Sequence, residues 1–210
     1  MRKIKFPTKW LIVGAIMVFL GTSFLAISMN STVFGHGLHI SESISHYVGL
    51  EYWSAIVFML GNLFVLMFTA RYLWQLGEVW KMPKVFYVLI VVLGVTLLGL
   101  SACPSGMFDV GEETSLISWI HIMTSRAMFI TMMLISAMIV MCRHANTLAH
   151  VINVFYLIYA VICIVGFVSE EAWFMNYVMI FETLFLLGFM VSMAFCDQRR
   201  EHLAEPMVLN

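Results

Sequence analysis

Apolar residues in this chain come in long runs. Six of them, roughly 10–30, 52–74, 84–103, 117–141, 150–169 and 172–195, hold about twenty residues each. That length carries an α-helix across the roughly 30 Å hydrocarbon core of a bilayer. Only Ser-Glu-Glu-Ala-Trp separates the fifth run from the sixth, which predicts a tight turn. The pattern predicts an all-α, polytopic membrane protein: a six-transmembrane-helix bundle forming a single membrane domain over residues 1–210, with no soluble domain appended. Six crossings put both termini on one side.

Charge identifies that side. Arg2, Lys3, Lys5, Lys9, Arg71, Lys81, Lys84, Arg143, Arg199 and Arg200 all fall at the termini or in the even-numbered connections. The opposite connections, STVFGHGLHISESISHYVGLEY, PSGMFDVGEETS and SEEAW, contain no Lys or Arg. Basic residues mark the cytoplasmic side of a membrane protein, so both termini are expected in the cytoplasm and the chain in the cell inner membrane as a multi-pass protein. Composition agrees: 62% of residues are hydrophobic and 11% charged, against about 45–50% and about 25% in soluble domains. A net charge of −1 lacks the basic patch that nucleic acid requires. The start MRKIKFPTKW resembles the basic beginning of a signal peptide, but the following apolar stretch exceeds the usual 7–15 residues, so it is read as a retained first helix. The four cysteines have no CxxC spacing and fall at different depths, with Cys142 and Cys196 at one edge, Cys163 within a helix and Cys103 at the other edge; free thiols are expected.

Against this background the internal polar residues stand out. Arg126, Glu182 and Asn62, counted from the outer ends of their runs, are each about 14 Å deep at 1.5 Å per residue. A charge at that depth is expensive and is by default a functional-site hypothesis, so Glu182 is expected to neutralise Arg126, with Asn62 adding hydrogen bonds, in a ligand-binding cluster. The bland alternative is an ion pair that fixes helix register. His121, Ser125 and Ser118 share a stripe of the fourth run, with Arg126 about 140° round from His121. The outer connections hold His36, His39 and His46 opposite Asp109, Glu112 and Glu113. Histidines with carboxylates are a sensible zinc ligand set, although solvated loop histidines are commoner. Gly14, Gly21, Gly94 and Gly99 are candidates for close helix approach.

The stretches ISHYVGLEYWSAIVFMLGNL and LLGLSACPSGMFDVGEETSLISWIHIMTSRAMF resemble the domain-of-unknown-function 998 family of six-helix prokaryotic membrane proteins. The likeness rests on Ile44, Ser45, Val48-Gly49, Asn62, Pro104, Asp109 and His121, and spans residues 44–130. An acidic residue usual after the Ile-Ser pair is His46 here. The resemblance implies the topology and a role for Asp109 and His121, without a reaction.

Three functions compete on these residues. The first is a membrane protein with an outward-facing polar pocket that binds a lipid or small ligand, or serves as a subunit of a larger membrane complex or homo-oligomer. There is no P-loop, GxSxG or HExxH to argue for a familiar enzyme. The second is an intramembrane hydrolase or lipid-modifying enzyme. Here His121 would be the general base, Asp109 its orienting carboxylate and Ser125, Ser101 or a metal-bound water the nucleophile. The third is a small proton-coupled transporter using Glu182 and Arg126. Haem is a weak fourth, since His121 and His150 are expected at opposite faces of the membrane.

Overall fold

The computed structural model describes residues 8–38, 40–103, 116–143 and 145–197, with the side chains of Thr8, His46 and Asp197 left aside. Among the described residues the chain is entirely helical. In order come α1 (Thr8–Ser28), α2 (Ile44–Gly49), α3 (Tyr52–Trp80), α4 (Lys84–Ala102), α5 (Leu116–Met141), α6 (Thr147–Val168), α7 (Ala172–Met175) and α8 (Val178–Ala194). A π turn at Met29–Val33 continues α1, and a 3-10 turn at Phe195–Asp197 ends α8.

Five of these helices, α1 with its π turn, α3, α4, α5 and α6, are long and apolar enough to cross a membrane. Their outward faces are as greasy as their inward ones. On α4, Phe86, Ile90, Leu93 and Leu97 are buried while Val85, Val88, Val91 and Val95 are exposed. Only 28% to 39% of the most apolar window of each helix is buried inside the protein. A helix apolar all round needs apolar surroundings on every side, and surface of this extent is foreign to soluble monomers. Exposed Trp53, Trp119, Trp173 and Tyr177 lie close to the helix ends, where amphipathic rings favour the membrane–water boundary.

The sixth apolar run is divided. The chain turns at Asn176-Tyr177, so α7 is a four-residue helix and α8 has 17 residues. At 1.5 Å per residue α8 is about 26 Å long, shorter than the other five.

The long helices pack as a closed ring, α1 on α3, α3 on α4, α4 on α5, α5 on α6, α6 on α8 and α8 back on α1. Sequential neighbours alternate in direction, which gives the ring two distinct ends. The loop-rich end gathers the π turn, α2, the start of α3, the end of α4 and the starts of α5 and α8. The opposite end, here the basic end, is built from tight turns. Lys81 caps α3 at φ 51°, its N–H bonded to the Gly77 carbonyl, and Pro83, with φ already helical, starts α4. Asn146 caps α6, its side chain accepting from Ala149 N at 2.6 Å.

Close approach is tightest at three glycines: Gly166, where a Cβ would lie 2.8 Å from Trp173 Cη2, and two between long helices. A Cβ on Gly61 would lie 2.6 Å from Thr22 Cβ, and one on Gly99 would lie 2.7 Å from Thr124 Cγ2. Gly99 is as expected from sequence. Gly14, Gly21 and Gly94 have ordinary contacts or open space instead.

Candidate functional site

The loop-rich end is where buried polar groups meet. After α1, Asn30 is fully buried and its Nδ2 donates to the carbonyl of Tyr47 on α2. The Tyr47 hydroxyl donates to the His36 carbonyl at 3.3 Å, and Met179 N donates to the Ile40 carbonyl at 3.1 Å. Ser54 Oγ, at the start of α3, reaches the Val48 carbonyl at 2.6 Å. These contacts seat the short helix α2 across the mouth of the ring. Burial beside Glu42 pushes the Tyr47 hydroxyl pKa up, burial being the larger cause.

Glu182 belongs to this fastening. Its Oε2 accepts the Ile44 backbone N–H at 2.9 Å, satisfying one of the orphan donors at the start of α2. The residue therefore lies one turn into α8. Counting depth from residue 172 misplaces it, because the break at Asn176-Tyr177 restarts the helix at Val178.

The expected Arg126–Glu182 pair is not formed. Among the described residues the ion pair is His36 Nε2 with Glu51 Oε1 at 2.9 Å. Arg126 is exposed on the outer surface of the ring, its guanidinium carbon 5.8 Å from the centroid of the Phe167 ring on α6. A guanidinium over an aromatic face gains electrostatic attraction, and a long side chain can carry its charge towards the interface. Asn62 faces a third way. It is 3% exposed, and it lines a space of about 30 Å³ on the ring axis together with Phe19, Thr69, Leu97, Met132 and Phe189. Asn62 Nδ2 and Thr69 Oγ1 have no protein partner there. So the three residues expected to form one ligand cluster occupy the axis, the outer surface and the loop-rich end.

His121 is brought into a different constellation. It is 5% exposed, and its Nδ1 lies 2.6 Å from the Cys103 carbonyl at the end of α4. Its Nε2 lies 2.8 Å from Ser45 Oγ on α2. A carbonyl only accepts, so Nδ1 carries the proton, and in the neutral ring Nε2 is the acceptor. The Ser45 hydroxyl then donates to Nε2. Ser43 Oγ is 3.1 Å from Ser45 Oγ, a contact in which either hydroxyl can donate. Ser45 is itself 5% exposed. The arrangement has the order of a nucleophile, a base and a group that orients the base.

The two serines nominated from sequence do not reach the imidazole. Ser125 Oγ bonds the Ile122 carbonyl at 3.2 Å, and Ser101 Oγ bonds the Leu97 carbonyl at 2.8 Å, both on their own helices. The orienting acceptor seen at Nδ1 is the Cys103 carbonyl. Asp109, Glu112 and Glu113 lie outside the described residues, as does His39, and the side chain of His46 is likewise undescribed. Of the three histidines proposed for zinc, His36 is the one with a described side chain, and it is held by Glu51. Among the described residues no group of three metal-ligating side chains converges. His150 Nδ1 bonds the Asn146 carbonyl at 2.9 Å at the basic end, far from His121. All four cysteines are free thiols.

Sequence reasoning missed Ser45 as the partner of His121 because 76 positions separate them. No family model, curated protein or solved structure matches the chain.

Proposed function

We propose that this is a six-crossing inner-membrane protein, with α8 as the sixth crossing and the basic end in the cytoplasm, and that it works as a lipid-directed serine hydrolase at the loop-rich end. The observation that carries this reading is the Ser45–His121–Cys103 chain of hydrogen bonds. In it, Ser45 Oγ attacks the carbonyl carbon of an ester, and His121 Nε2 takes the hydroxyl proton as the C–O bond forms. The imidazolium keeps its Nδ1–H on the Cys103 carbonyl and passes the Nε2 proton to the departing alkoxide, leaving acyl-Ser45. Water from the outer face, deprotonated by the same nitrogen, releases the carboxylic acid and restores Ser45.

A lipid ester fits the position. The pair joins α2 to the first turns of α5, and exposed Leu50, Tyr52 and Trp53 follow Ser45 within eight residues, apolar side chains suited to the level where acyl chains meet head groups. Purified protein in nanodiscs should release fatty acid from a phospholipid, and Ser45→Ala should remove that release while leaving the thermal unfolding midpoint within a few degrees. Equal release by wild type and Ser45→Ala would refute the assignment.

A second reading has its own support. Glu182 with Ile44 and Asn30 with Tyr47 are fastenings without chemistry, and Ser45 with His121 is buried much as Asn30 is. On that reading the pair is a third fastener that holds α2 over a non-catalytic, lipid-binding mouth. A transporter built on Arg126 and Glu182 is less well supported, because the two charges do not communicate.

A further inference from the structure

The basic end carries a feature that the hydrolase reading does not use. Where the α3–α4 turn faces the end of α5, an open groove of about 310 Å³ is lined by Trp80, Lys81, Pro83, Met138, Met141 and Arg143, with Met82 and Cys142 completing it. Its walls are apolar and its charged lining residues are both cations. Among the described residues no carboxylate lines it, and neither Lys81 nor Arg143 is in an ion pair. Both are exposed.

The helix ends put this groove at the membrane–water boundary. Lys81 follows the last residue of α3 and Arg143 lies two residues past the end of α5, so both ammonium and guanidinium are at head-group level while Met138 begins the descent into the hydrocarbon. The volume is at the low end of the roughly 300–1,000 Å³ typical of small-molecule sites. It suits a phosphate and glycerol with the first carbons of the chains, not a whole lipid. A guanidinium offers a two-pronged contact to phosphate oxygens, and an ammonium a mobile point charge beside it. We infer that this groove is a binding site for the phosphate head group of an anionic phospholipid, held between Lys81 and Arg143 with its upper acyl carbons against the methionines and Pro83. Two cations without a counter-charge among the described residues favour a net-negative lipid over a zwitterionic one, whose own ammonium they would repel.

The test is native mass spectrometry of the full-length protein in detergent, titrated with phosphatidylglycerol, phosphatidylcholine or inorganic phosphate. Phosphatidylglycerol is expected to bind at least about five-fold more tightly than phosphatidylcholine, as one cation's contribution at a membrane surface implies. The double variant Lys81→Gln with Arg143→Gln is expected to lose roughly ten-fold or more in that affinity with an unchanged melting temperature. Lys84→Gln removes a cation of the same face that does not line the groove, and is expected to leave binding within two-fold, about the error of such a titration. Inorganic phosphate is expected to bind far more weakly, because it lacks the acyl carbons. The site is refuted if the double variant binds phosphatidylglycerol like wild type, if Lys84→Gln costs as much as the double change, or if inorganic phosphate competes as well as the lipid does.

Discussion

At the loop-rich end, Glu182 accepts from the Ile44 amide, Asn30 donates to Tyr47, and His121 is held between Ser45 and the Cys103 carbonyl. At the basic end, Lys81 and Arg143 stand exposed beside an apolar groove that no carboxylate lines among the described residues. The same kind of apolar helix enters both. The difference lies in where these particular polar atoms go. Glu182, Asn30 and His121 turn inward onto partners, whereas Lys81 and Arg143 turn outward to the interface, beside inward-bonded Tyr72, Asn146 and Asn153 on the same half of the ring. Substitutions at Glu182 and Ser45 should therefore be costly and substitutions at Lys81 and Arg143 nearly silent, and that contrast can be tested in four steps.

The largest effect should come from neither end. Gly61→Leu forces a side chain into Thr22 across the α1–α3 contact, and overpacking of this kind costs about 3 kcal/mol. Because α1 and α3 feed both ends, amide exchange should rise at α2 and at the α3–α4 turn together. A rise at one end alone would mean that the ends are not coupled through this contact.

Next is Glu182→Ala, which leaves the Ile44 amide without its acceptor and should cost about 1–3 kcal/mol. Thermal unfolding in detergent measures the loss, and amide exchange should localise it to residues 40–51. Arg126→Met should change stability by less than about 0.5 kcal/mol, since the charge has no ion-pair partner among the described residues to leave behind. The two changes should add. A coupling above about 1 kcal/mol in the double mutant would restore the pair that the structure separates.

How much of this could be read from the sequence depends on the residue. The apolar runs located the long helices to within a few residues, apart from α3, which continues past 74 to Trp80, because run length follows from bilayer thickness alone. His121 was legible as an unusual histidine opening a span. Its 140° offset from Arg126 correctly keeps the two from facing the axis together: His121 is buried and Arg126 exposed. The place of Arg126 along its helix was legible, but not the face it occupies, since helix rotation is set by neighbours and not by spacing. Glu182 was misjudged because an apolar run does not reveal the break at Asn176-Tyr177. Ser45 was invisible as a partner because only the fold of the 29–51 segment across the ring brings α2 to the start of α5.

Third in size is Ser45→Ala. Removing the hydroxyl leaves His121 Nε2 without this donor and should cost about 1 kcal/mol, less than Glu182→Ala because the Cys103 bond still holds the ring. Ser125→Ala and Ser101→Ala, each bonded only to its own helix, should fall below that in the same melting assay. A ranking with Ser125 above Ser45 would mean that the imidazole contact adds nothing to stability.

The smallest effect belongs to the basic end. Lys81→Gln with Arg143→Gln should shift unfolding by less than about 0.5 kcal/mol in lipid-free detergent, as exposed charges do. A larger loss would show that these cations are fasteners too, and the contrast between the ends would fail.

The chemistry assigned to Ser45 is tested most directly by covalent labelling. Full-length protein in nanodiscs is treated with a long-chain fluorophosphonate, and the adduct is located by peptide mass spectrometry. The account predicts one adduct, on Ser45, forming about 10²- to 10⁴-fold more slowly in His121→Ala as general-base assistance is lost. An intact, folded protein that takes no label at Ser45, or takes it equally fast without His121, would contradict the assignment and leave the pair as a fastener of α2.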